Sequence, residues 1–123
     1  MATSKIKSSG ITRTDLCTFG AYWSEGTEIT LNQAANNFDL ILVLIGLNSV
    51  DVAGGGQSYY IIRPTDIQLR FENSNRGNTS RYYWICSFNN DFTKFIINKT
   101  NMTSGSNNEQ YQGIRSIVGL RFA

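Results

Sequence analysis

The 123-residue chain has no histidine at all. That removes the commonest general base and the commonest metal ligand, and it leaves any serine or cysteine nucleophile without its usual partner. Charge is also scarce: Asp, Glu, Lys and Arg make up 16% of the residues, against roughly 25% in an average globular domain. The eleven basic and nine acidic residues give a net charge of only +2. The excess sits in the first thirteen residues, where Lys5, Lys7 and Arg13 stand without an acid. Nucleic-acid binders carry a dense basic face, and nothing of that kind is present, so no nucleic-acid partner is expected. There is a single proline, Pro64, and there are two cysteines, Cys17 and Cys86, both inside apolar stretches. Two such cysteines read as buried thiols, because free cysteine packs as a small hydrophobe; a disulfide is possible but two residues do not imply one.

Long apolar runs are missing too. The longest, Leu40 to Leu47, falls far short of the roughly 20 residues that span a bilayer, so no membrane insertion is expected. The polar stretch from Met1 to Gly10 does not read as a signal peptide. This is the pattern of a protein made in the cytoplasm, and release by lysis would still let it act outside a cell.

What remains is a chain rich in Asn, Ser, Thr and Gly with 41% apolar residues, enough to build a core rather than stay disordered. Residues 1–13 read as a flexible N-terminal segment, a tag or the remnant of a shaft, and residues 14–123 as one domain. Short apolar or alternating runs follow one another with turn signals between them. Asp15 to Trp23, Glu28 to Leu31, Phe38 to Leu47, Tyr59 to Arg63, Asp66 to Glu72, Arg81 to Phe88, Phe92 to Asn98 and Gly113 to Phe122 all read as strands. Asn89-Asn90-Asp91 marks a tight reversal. The expected fold is all-β, an antiparallel β-sandwich of about 7–8 strands, jelly-roll-like in its short, evenly spaced elements.

The run from Phe38 to Leu47 is apolar on both faces. Phe38, Leu40, Leu42 and Leu44 point one way, while Ile41, Val43 and Ile45 point the other. One face of a sandwich sheet is covered by the opposite sheet, so the second face needs another cover. With little helix on offer, that cover is expected to be another subunit, and Ile41, Val43 and Ile45 are the expected contact residues.

No catalytic constellation is present: no HExxH, CxxC, GxSxG or phosphate loop. Gly54-Gly55-Gly56 lacks the lysine and helix a phosphate loop needs and reads as a hairpin connection. The nine carboxylates fall mostly in turns and on outward strand positions. They could assemble a glycosidase pair only between subunits. Asn78-Thr79-Ser80, Asn98-Lys99-Thr100 and Asn101-Met102-Thr103 match the glycosylation acceptor pattern, at the rate chance gives in so Asn-rich a chain. No cofactor is implied, and the expectation is a binding protein rather than an enzyme.

The aromatic runs Tyr59-Tyr60 and Tyr82-Tyr83-Trp84 put rings on both faces of their strands. One face of each must leave the core, where a ring can stack on a sugar or fill an interface. Tyr60 and Tyr83 are the aromatic candidates for ligand binding. Arg76 and Asn107 are added from the long polar loops, where binding residues concentrate.

Four stretches stand out: Glu28-Ile29-Thr30-Leu31; Asn36-Asn37-Phe38-Asp39-Leu40-Ile41-Leu42-Val43, an apolar strand after an Asn-rich link; the hairpin Arg81-Tyr82-Tyr83-Trp84-Ile85 to Phe95-Ile96-Ile97-Asn98; and Ile114-Arg115-Ser116-Ile117-Val118-Gly119-Leu120-Arg121-Phe122. Together they resemble the C-terminal tip domains of bacteriophage tail-fibre and baseplate receptor-binding proteins. The likeness covers roughly Thr14 to Ala123 in loose patterns, with no shared binding motif to transfer. It implies a homotrimeric knob in the virion tail that attaches to a bacterial cell-surface glycan or protein. Two other readings stay open: a monomeric carbohydrate-binding module, and a structural virion or shell protein.

Overall fold

A computed structural model of the chain describes residues 10–17, 22–46, 57–66, 69–74, 81–101 and 113–122. Eight strands carry the fold: β1 (Ile11–Cys17), β2 (Glu28–Thr30), β3 (Leu40–Gly46), β4 (Gln57–Ile62), β5 (Leu69–Ser74), β6 (Arg81–Phe88), β7 (Lys94–Thr100) and β8 (Gly113–Phe122). One 3-10 turn, Ala35–Asn37, precedes β3. The strands form two four-stranded sheets, ordered β1-β8-β3-β4 and β2-β7-β6-β5, and every pairing is antiparallel. The β-sandwich expected from the alternating runs is what the chain forms. The chain changes sheets as it runs: β1, β3, β4 and β8 build one, and β2, β5, β6 and β7 the other. Among the described residues, no helix is long and apolar enough to cross a membrane.

Alternation sorts each strand into an inner and an outer set. Ile41, Val43 and Ile45 of β3 and Ile117 of β8 meet Ile29, Phe71, Trp84, Cys86, Phe95 and Ile97 from the other sheet in one core. Aromatic edges fill the gaps within it. Phe71 lies 5.0 Å from Tyr60 in a T-shaped pair, and Phe95 lies 5.0 Å from Phe88. The β6–β7 hairpin turns where the Asn-Asn-Asp sequence places it. The Asn89 side chain accepts from the Lys94 N–H at 3.0 Å, and the Asn89 carbonyl accepts from the Phe92 N–H at 3.1 Å. The β4–β5 crossing is held by a turn at Arg63–Asp66, with Pro64 at the position its fixed φ favours. There the Asp66 carboxylate accepts from the Arg63 N–H at 2.9 Å.

The domain begins earlier than residue 14. Ile11, Thr12 and Arg13 pair with Phe122, Arg121 and Leu120, so three residues assigned to a flexible segment belong to β1. Their polar alternation suits an edge strand, where charge discourages further pairing; read alone, it looks like a linker.

Both cysteines are free and buried. Burial pushes the Cys17 thiol up to about 11 and the Cys86 thiol up to about 12. Only the thiolate attacks a disulfide reagent, so at neutral pH the native protein is expected to leave both unlabelled over a time in which the urea-unfolded chain labels both. Rapid labelling of either in the native state would contradict their burial. The linkage has a definite sign. Both pKa values rise on folding, so this contribution to stability is complete below about pH 9, the unfolded value. It is lost as the pH climbs from there through the folded values of about 11 and 12.

Candidate binding surface

The outer faces of the two sheets differ in chemistry. On the sheet β2-β7-β6-β5, charged and amide side chains stand outward among the half-buried Tyr83, Ile85 and Ile96. Lys94 pairs with Glu28 at 3.1 Å and Arg70 with Glu72 at 2.8 Å. Asn98 donates to the Ser87 hydroxyl at 2.8 Å. This is a solvated face whose charges offset each other.

The outer face of β1-β8-β3-β4 is apolar. Register places Ile11 beside Phe122, Leu120 beside Leu40, and Val118 beside Leu42, which in turn pairs with Ile61. Leu44 pairs with Tyr59 in the next outward row. Among the described residues, four large hydrophobic side chains are exposed: Ile11, Tyr59, Ile61 and Phe122, at 53%, 57%, 64% and 47%. All four lie on this one face. Scattered exposed hydrophobics need no explanation, but four on one face mark a candidate interaction surface; between them, the outward Val118 and Leu44 are buried, at 1% and 6%.

The second face of β3 is therefore the one expected to seek a cover, but its residues are not those expected. Ile41, Val43 and Ile45 have no exposed surface and pack inside the sandwich, so they cannot form a subunit contact. Leu40, Leu42 and Leu44 hold the outward positions. Alternation in a doubly apolar strand separates two sets without saying which is inner.

The same ambiguity affects the tyrosines. Tyr60 points inward, against Phe71. Its hydroxyl donates to the Glu72 carbonyl at 2.8 Å and accepts from the Glu72 N–H at 3.1 Å. It thus ties β4 to β5 across the sandwich edge, and neither ring nor hydroxyl is free for a ligand. Its neighbour Tyr59 is the outward ring. Tyr83 does face outward, on the polar sheet, but the Arg70 guanidinium lies 4.2 Å from its ring centroid and occupies that face. Arg76 and Asn107, and the glycine triplet, lie outside the described residues.

At one end of the apolar face, a cleft of about 530 Å³ opens between β1 and β4. Leu44 and Ser116 lie on its central strands, Tyr59 on β4, and Arg13 and Asp15 on β1, with Asn32 beside them. The Asn32 side chain donates to the Asp15 carbonyl at 3.1 Å, and its backbone N–H donates to the Leu16 carbonyl at 2.8 Å. These bonds fasten the segment after β2 to β1 and set the wall of the cleft. Arg13 and Asp15 stand 3.9 Å apart with most of their side chains exposed. Such a pair adds little stability and leaves both groups able to turn toward a ligand.

Close by, β8 carries a bulge opposite Leu44 and Ile45. Its extra residue, Arg115, is only 1% exposed and is the one charged side chain buried among the described residues. Burial lowers its pKa, and nearby Tyr22 acts in the opposite direction. Among the described residues, no three His, Cys, Asp or Glu side chains come together to hold a metal ion. Sequence reasoning missed the cleft because its residues come from four strands and a loop, with no shared spacing.

Compared with known proteins, the chain matches no family model and no curated sequence.

Proposed function

We propose that this chain is the receptor-binding tip of a phage tail fibre or baseplate, working as a homotrimer that attaches to a bacterial cell-surface glycan or protein. One observation carries the reading: every large hydrophobic side chain exposed among the described residues lies on the outer face of β1-β8-β3-β4. A neutral, apolar sheet face beside a polar one suits contact with copies of the same chain. Around a threefold axis, the end of the β1–β8 half carrying Ile11 and Phe122 meets the β4 edge of the next copy at Ile61, leaving the opposite end of the face, with Tyr59, uncovered. That is a closed heterologous ring. The sequence likeness to tail tips supplies the rest: the virion location, the bacterial target and the number of copies. No catalytic step is part of this role.

The test is a solution mass together with adsorption of labelled protein to bacteria. A mass of three chains and strain-selective adsorption are expected. A monomer at micromolar concentration that still binds sugar would favour a carbohydrate-binding module, for which the cleft beside Tyr59 is the supporting observation. Self-association without adsorption to any strain would favour a structural virion or shell protein.

A further inference from the structure

We infer that the cleft between β1 and β4 binds one neutral pyranose unit, with Tyr59 as its stacking platform. The inference deepens the receptor-binding reading and rests on it only for the source of the sugar, a bacterial surface.

A pyranose presents an apolar face of C–H groups and a rim of hydroxyls, each able to donate and to accept. The cleft offers both complements. Tyr59 is 57% exposed, and a ring held on a strand can take the C–H face at little entropic cost. Leu44 adds apolar contact. Around them stand an acceptor carboxylate, a donor guanidinium, an amide and a hydroxyl, from Asp15, Arg13, Asn32 and Ser116. This is the usual make-up of a small-molecule site, a few polar groups around an apolar surface, and about 530 Å³ is an ordinary size for one.

The charges argue for a neutral ligand. Among the described residues, Arg13 is the one cation lining the cleft, and Asp15 lies beside it at 3.9 Å, so an anion meets a carboxylate together with it. A phosphate site would instead gather several donors without an acid. Hydroxyls can use both groups at once, accepting from Arg13 and donating to Asp15.

The test titrates the whole chain with the methyl glycosides of glucose, galactose, N-acetylglucosamine and rhamnose, followed by amide NMR shifts. Inorganic phosphate and acetate serve as ionic controls. At least one glycoside is expected to saturate and to shift the amides of Tyr59, Leu44 and Ser116. Tyr59→Ala should weaken that glycoside at least tenfold, Tyr59→Trp should retain it, and Asp15→Asn should weaken it severalfold. Because Tyr59 is exposed, these variants keep the fold, which their amide spectra verify. No shift with any glycoside overturns the inference, as does equal binding by wild type and Tyr59→Ala, or phosphate binding as tightly as the sugars.

Adsorption to bacteria, run in parallel, separates the two ideas. Glycoside binding in the cleft without adsorption to any strain leaves the sugar site standing and removes the receptor reading. Adsorption undiminished by Tyr59→Ala, with no glycoside bound, removes the sugar site and leaves the receptor reading.

Discussion

Ile61→Asp is expected to break the proposed trimer into folded monomers. Ile61 is the most exposed large hydrophobic residue described, at 64%, and it sits on β4, an edge strand of the apolar sheet. In an isolated domain, a carboxylate at so exposed a position changes stability by no more than about 0.5 kcal/mol. Inside an apolar subunit contact, the same carboxylate loses its water, at a cost of several kcal/mol. Each 1.4 kcal/mol is roughly a tenfold change in dissociation constant, so subunit affinity should fall by about a hundredfold or more. Thr30→Asp makes the matched control. It adds the same charge to the polar sheet, where Thr30 pairs with Lys94, and should leave the mass unchanged. Sedimentation of both variants, with circular dichroism to verify folding, decides the matter. If Ile61→Asp sediments like the wild-type assembly, the contact lies elsewhere.

Gly119→Ala should destabilise the domain by about 1–3 kcal/mol, the usual cost of overpacking a full core. Gly119 is in β8, paired with Thr14 on one side and Ile41 on the other. Phe38 leaves the 3-10 turn and lays its ring over this position, and an added Cβ would stand 2.6 Å from its Cγ. The ring has little freedom to retreat, because it is only 7% exposed and the Arg121 guanidinium lies 5.5 Å from its centroid. Arg121 is itself anchored to the Asn37 carbonyl through Nη2 at 2.8 Å. Removing the ring should relieve the clash, so Gly119→Ala should cost less in a Phe38→Ala background than in the wild type. Urea denaturation of the four proteins of this cycle measures the coupling. A Gly119→Ala protein as stable as wild type would contradict the packing described.

Much of this architecture is legible in the residue pattern, because alternation and turn chemistry are local. The β6–β7 hairpin follows from Asn89 to Asp91, and the Arg63–Asp66 turn from Pro64. The two-faced character of β3 follows from an unbroken apolar run. What the pattern hides is the choice between its two phases. In β3 the inner set is β-branched and the outer set is leucine, and in β4 Tyr60 is inside and Tyr59 outside. That choice is made by what packs opposite, Phe71 in the case of Tyr60, and a partner on another sheet leaves no mark in the neighbouring sequence. The cleft was hidden for the same reason. Arg13, Leu44, Tyr59 and Ser116 become neighbours only through the strand order β1-β8-β3-β4. Arg13 was further masked by lying in a stretch whose polar alternation resembles a tail.

The central place of β8 in its sheet bears on how the protein is made. β8 is translated after the other seven strands, yet it separates β1 from β3 and supplies hydrogen bonds to both. Until it leaves the ribosome, β1 has no partner in the sheet, and the β3–β4 hairpin has one bare edge and an uncovered apolar side. Folding of that sheet must wait for release of the strand, and pairing between residues as distant as Ile11 and Phe122 makes the step slow. Polypeptides interrupted before Gly113 would therefore lack the centre of the sheet rather than its margin. Such chains could not join β1 to β3, so the strand order itself keeps an incomplete copy from closing this sheet.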